Sequence, residues 1–246
     1  MNDRTGTFAD HLSELRLRLL HSLGALAVGV VIAFPFQKFW FKILFRPARA
    51  SLGHLKYLDL PEAFIIHLKL ALLAGILIAL PYIAWQLWKF VEPALYAHER
   101  ALVLRLAGIT VILFWTGVTF AYLVVLPIAI KFFMRFQNAE LVADITLRNY
   151  ISFSSFMLLV TGCAFEVPLV LVFLIATGVI ERSVLVRNRR AVVVGILILC
   201  AVFTPPDPLS MLLLATPFYL LFEGSLAVTW FMARRRAERE AGSSGE

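Results

Sequence analysis

Long apolar runs alternate along this chain with short clusters of charged residues. Runs almost free of charge lie between Arg18 and Lys38, Lys69 and Lys89, Arg105 and Lys131, Arg148 and Glu181, Arg190 and Asp207, and Asp207 and Arg234. Stretches of this length and apolarity satisfy their backbone polar groups in lipid only as helices. The pattern therefore predicts six transmembrane helices in an all-α integral membrane protein. The fifth run is the exception in length: residues 191–204 would rise only about 21 Å as a helix, against a hydrocarbon core of roughly 30 Å. Pro205, Pro206 and Pro208 delay the start of the sixth, and Pro217 interrupts it.

The clusters between the runs read as loops. The stretch from Phe90 to Arg100 carries Glu92, Pro93, His98, Glu99 and Arg100. Proline disfavours helix just before it and carboxylates avoid hydrocarbon, so the chain turns at a membrane face here. Pro61 and Glu62 read as the start of the second span. Phe36, Phe39, Trp40, Ile43 and Leu44 recur at helical spacing among Lys38, Lys42 and Arg46, which predicts a segment lying flat on the outer leaflet. At the N-terminus, Asp3, Asp10 and Glu14 argue against a cleavable signal. Residues 7–18 instead predict an amphipathic interfacial helix, with Phe8, Leu12, Leu15 and Leu19 on one stripe and a Glu14–Arg18 pair on the polar side. The expected organisation is one transmembrane domain over 1–234 and a basic, disordered cytoplasmic tail over 235–246.

Composition agrees with this class. The chain has 246 residues, 61% hydrophobic, with a mean hydropathy of +0.85, far from an ordinary soluble domain. The net charge of +7 sits in loops and tail, suiting topology control and anionic lipid headgroups rather than nucleic acid. Most of the 23 lysines and arginines fall in the N-terminal segment, the 89–105 and 182–190 loops and the tail. The positive-inside rule then places both termini in the cytoplasm. Cys163 and Cys200 lie within apolar runs and read as core thiols.

Candidate chemistry is sparse. Glu166 and Glu223 fall inside predicted spans, where a charge at the bilayer centre costs at least ~2.5–3.5 kcal/mol, so each should face a cavity or a partner. Pro168 removes a backbone donor next to Glu166 and opens a polar spot on that helix. His67 and Lys69 read as snorkelling residues. There is no metalloprotease, phosphate-loop or serine-hydrolase motif, and no metal or cofactor is expected. On the cytoplasmic face Glu14, Glu92 and Glu99 could receive a guanidinium, or could simply neutralise Arg16, Arg18 and Arg100. A proton-coupled solute carrier using Glu166 and Glu223 is the alternative from these residues, although no internal repeat supports it.

The order of short motifs resembles the TatC family, the C subunit of the twin-arginine protein translocase. The matching stretches are His11-Leu12-Ser13-Glu14-Leu15-Arg16-Leu17-Arg18, Pro61-Glu62-Ala63-Phe64, Leu80-Pro81-Tyr82, Gln86-Leu87-Trp88-Lys89-Phe90, Pro93-Ala94-Leu95-Tyr96 and His98-Glu99-Arg100. Gly162-Cys163-Ala164-Phe165-Glu166-Val167-Pro168 and Phe203-Thr204-Pro205-Pro206-Asp207 complete the set. The resemblance implies a concave, glove-like six-helix bundle in the bacterial inner membrane. It implies a non-enzymatic receptor for twin-arginine signal peptides of folded proteins, working with TatA/TatB-type single-span partners, membrane lipids and further copies of itself, driven by the proton-motive force. Carried over by position, Glu14, Arg16, Phe90 and Glu99 would bind the signal peptide. Glu166 and Thr204 would be intramembrane polar groups for a partner helix, and Asp207 an outer-loop acid; Glu223 joins the first two as an intramembrane polar candidate through its place in the sixth run alone. One departure stands out: the family commonly follows this proline pair and acid with Ser-Gln, but here Ser210 precedes Met211.

Overall fold

A computed structural model of the chain describes residues 8–52, 61–92, 103–135, 146–203 and 208–243. The described residues are almost wholly helical. Helix α1 (Phe8–Ala33) runs without a break from the polar N-terminal turns into the first apolar run, because nothing between them breaks a helix until Pro35. The amphipathic segment expected over 7–18 is thus the first half of a longer helix. A 3₁₀ turn over Phe34–Phe36, with Pro35 in its first turn, leads into α2 (Gln37–Leu52). Helix α3 (Glu62–Val91) starts directly after Pro61, as that dipeptide predicts.

The remaining runs are helical but two are broken by proline. The third consists of α4 (Val103–Phe120), a π turn over Ala121–Val125, and α5 (Leu126–Met134) with Pro127 in its first turn. Proline cannot donate to the ladder and crowds the preceding turn, and widening the coil is one relief. The fourth consists of α6 (Leu147–Ala164) and α7 (Val167–Ala176), broken ahead of Pro168. Gly178, at φ +74°, ends α7 in the left-handed conformation that glycine adopts without strain. Helices α8 (Arg182–Arg187), α9 (Arg189–Phe203) and α10 (Pro208–Ser243) follow. Helix α10 continues into the stretch expected to be a disordered tail; its Ala, Arg and Glu residues there are strong helix formers.

Four helical stretches are long and apolar enough to cross a membrane among the described residues: 10–48, 62–91, 104–134 and 147–176. The protein is therefore multi-pass. Two compact units emerge, one from Met1–Ile112 with Tyr122–Leu158, the other from Leu113–Ala121 with Leu159–Glu246.

The first unit is organised on α1 and α3, an antiparallel pair and its largest helix–helix interface. Small residues make the close approach: a Cβ on Gly29 would lie 2.6 Å from the Gly75 carbonyl oxygen, and one on Gly75 would lie 2.7 Å from the Val30 nitrogen. Ala33, Ala71 and Ala74 are buried nearby, the small-residue seam that lets helices pack in lipid. Helix α2 turns Leu44 and Ala48 inward and leaves Phe39 and Ile43 of the predicted stripe exposed, as is Phe36 in the turn before it. Pro47 lies inside α2 and cannot donate to the Ile43 carbonyl; the Tyr122 hydroxyl donates to that oxygen instead, at 2.8 Å. Tyr150 donates to the Leu44 carbonyl beside it at 2.6 Å.

The start of α6 is capped from α3. Glu62, 4% exposed, accepts the Arg148 N–H at 3.2 Å, and Thr146 Oγ1 accepts the Asn149 N–H. A carboxylate there also meets the positive end of the helix dipole.

In the second unit α10 packs on α7 and α9, burying Leu214, Ala215, Phe218, Phe222 and Leu226. Cys200 is buried among these helices, whereas Cys163 faces outward rather than into the core.

Candidate functional site

The first turns of α1 and the last turns of α3 bring together the polar side chains of the first unit. Arg18 is the centre. Its Nη2 lies 2.9 Å from Glu14 Oε1, one turn earlier, and its Nη1 donates to Gln86 Oε1 at 3.0 Å. Gln86 is 3% exposed and donates through Nε2 to the Tyr82 hydroxyl at 2.7 Å. One turn further out, the His11 ring stacks on Phe90 at 4.5 Å between centroids. The register follows from the antiparallel pairing of α1 and α3 seen at Gly29 and Gly75. On the flank, Trp88 donates to Thr110 Oγ1 at 2.8 Å, and Lys89 lies 4.9 Å from the Trp85 ring centre.

Glu14 keeps 30% of its side chain exposed and Arg18 keeps 19%. The site is thus a half-buried notch in which a carboxylate and an amide oxygen already hold one guanidinium, the geometry such groups favour. Of the residues expected to bind a signal peptide, Glu14 and Phe90 lie here. Arg16, two residues from both Glu14 and Arg18, is exposed on the opposite side of α1 and is not brought to the notch. Glu99 lies outside the described residues. Arg18, Gln86 and Tyr82 were not among the expected site residues. Only the antiparallel register of α1 and α3 makes them neighbours, and that depends on a glycine contact that local sequence does not display.

The two acids expected inside the membrane lie in the second unit. Glu166 occupies the break between α6 and α7, half-buried, with its N–H on the Cys163 carbonyl at 3.1 Å in a tighter turn and its own carbonyl accepting from Val170. Pro168 thus breaks the helix at the acid rather than only freeing one carbonyl. Glu223 is engaged within the chain: Arg189 Nη2 lies 3.2 Å from Oε2, and the Tyr219 hydroxyl donates to Oε1 at 2.9 Å. Arg182 Nε donates to the Leu226 carbonyl nearby, at 3.4 Å. Thr204 and Asp207 lie outside the described residues. Lys69, expected to snorkel, donates to Ser152 Oγ at 2.7 Å, and His67 Nδ1 is 2.6 Å from the Ala63 carbonyl. A cavity of about 160 Å³ between α7, α9 and α10 is walled by side chains such as Leu171, Ile196 and Phe222 and offers no grip on a polar solute. Among the described residues no three His, Cys, Asp or Glu side chains converge as metal ligands do.

These features define a multi-pass helical membrane protein whose accessible polar chemistry gathers where two paired helices end. The family model for "Sec-independent protein translocase protein (TatC)" matches residues 10–217. The protein of that name from Magnetococcus marinus is 35% identical over 99% of this chain and 91% of its own. That of Carboxydothermus hydrogenoformans is 36% identical over 94% and 96%. A solved structure, "Crystal Structure of Twin Arginine Translocase Receptor- TatC in DDM", superposes with a TM-score of 0.82 at 37% identity, covering 89% of this chain and 99% of that one. The chain belongs to the TatC family and is a component of a protein translocase. The solute-carrier reading of Glu166 and Glu223 has no support beside this.

Proposed function

We propose that this subunit receives twin-arginine signal peptides at its cytoplasmic face, through Glu14, Arg16, Phe90 and Glu99, and performs no chemistry of its own. The observation that carries this reading is the notch at the end of α1 and α3, which holds a guanidinium between Glu14 and Gln86. A carboxylate and a buried amide suit arginine better than lysine, because the guanidinium fork can serve both acceptors at once. Phe90 adds an apolar wall where the chain leaves α3 towards Glu99.

In this reading the six apolar runs are six spans of a glove-like bundle in the inner membrane, both termini cytoplasmic. Glu166, Thr204 and Glu223 face single-span TatA/TatB-type partners, with further copies of this chain in the complex, and export is driven by the proton-motive force. An interhelical hydrogen bond in lipid is worth about 0.6–2 kcal/mol, enough to seat a partner helix and weak enough to release it.

The test is site-specific photocrosslinking in membranes between the Glu99 segment and a labelled signal peptide, in Arg-Arg and Lys-Lys versions. Crosslinks that require Arg-Arg and fade in Glu99→Gln are expected; equal crosslinking of both peptides refutes the reading.

A further inference from the structure

We propose that Arg18 is a resident guanidinium that occupies the receptor notch until a signal-peptide arginine displaces it, so that Arg18 limits the affinity of the site. This rests on the receptor reading above. Arg18 is held as an arriving arginine would be, by Glu14 at 2.9 Å and Gln86 at 3.0 Å. The fit is imperfect. Its Nε is buried and has no hydrogen-bond acceptor among the described residues, and only one Glu14 oxygen is in contact. A buried donor without a partner opposes the pairing, and a pair four residues apart on one helix is worth only about a factor of two in an equilibrium constant. Arg18 is therefore poised to leave.

The consequence is a uniform barrier to entry. Any ligand must displace Arg18, so the fraction of notches left open lowers every ligand's apparent affinity by the same factor. A guanidinium arriving from outside the helix is free to approach Glu14 with two parallel N–H groups, which the short Arg18 tether does not achieve. An ammonium offers one compact charge without the fork and binds less tightly whether or not Arg18 is present. With Arg18 removed, Arg-Arg and Lys-Lys peptides both tighten and keep their ratio. A purely structural Arg18 would do the opposite: its loss would loosen α1 from α3 and weaken every peptide alike.

The experiment is equilibrium binding of fluorescent Arg-Arg and Lys-Lys signal peptides to the full-length chain in nanodiscs, comparing wild type, Arg18→Gln and Arg18→Lys. For Arg18→Gln the expectation is roughly two- to tenfold tighter Arg-Arg binding, the lower bound from the helix pair and the upper from adding the Gln86 bond, with Lys-Lys binding tightened by the same factor. Arg18→Lys, which keeps the charge and can still pair with Glu14, should fall between, and carries the test if Arg18→Gln does not fold. Preferential Arg-Arg binding by wild type, unchanged or weakened in both variants, overturns the resident-guanidinium inference and leaves the receptor reading standing. Wild type that binds neither peptide, or both equally, overturns both.

Discussion

Replacing Gly29 with alanine would set a new Cβ 2.6 Å from the Gly75 carbonyl oxygen and 3.3 Å from its carbonyl carbon and Cα. Carbon contacts settle near about 3.5–4.0 Å, so α1 and α3 must separate by roughly 1 Å. Overpacking of this kind costs about 1–3 kcal/mol. Gly24→Ala is the matched control, on the same helix with nothing within 4 Å of its Cβ. Both substitutions gain the same helix propensity, so their difference isolates the clash. Thermal unfolding in one detergent at one scan rate should place Gly29→Ala below Gly24→Ala by on the order of 2–10 °C. The effect should also reach the notch, about 16 Å along α1, where Glu14 of α1 and Gln86 of α3 must stay close enough to grip one guanidinium. Peptide binding should weaken in Gly29→Ala and hold in Gly24→Ala. Equal melting temperatures for the two variants would refute the close-packed seam as the determinant of α1–α3 register.

Other consequences can be checked by the same unfolding assay. Tyr122→Phe strips the donor from the Ile43 carbonyl left open by Pro47 and should cost about 1–3 kcal/mol; adding Pro47→Ala, which restores a backbone donor, should recover most of it. Glu62→Ala should destabilise by a similar ~1–3 kcal/mol through the orphaned Arg148 N–H, and Glu62→Gln by less, because an amide oxygen can still accept that bond. Arg189→Gln should cost no more than about 1 kcal/mol, since the pair with Glu223 is half exposed. Glu166→Ala should spare signal-peptide binding and impair partner assembly; undiminished crosslinking to a single-span partner in membranes would contradict that role.

Much of this protein could be read from local sequence. The membrane class, the helical course of the apolar runs and the start of α3 after Pro61 all follow from interactions within a few residues: apolar runs, proline's place in a first turn and the expense of charge in lipid. The Glu14–Arg18 pair was legible for the same reason, being one helical turn. What the tertiary structure alone decided is who meets whom across distance. Gly24, Gly29 and Gly75 look alike in sequence, yet only Gly29 and Gly75 face a backbone, and that contact sets the register that lands Gln86 on Arg18. Tyr122 meets the carbonyl opened by Pro47, and Glu62 caps a helix that begins 85 residues later at Leu147. Glu223, a candidate for a cavity or an outside partner because it falls inside an apolar run, is bound by Arg189 and Tyr219 of its own chain. In each case the partner is chosen by helix packing, and hydrophobic pattern specifies that a face is buried without specifying against what.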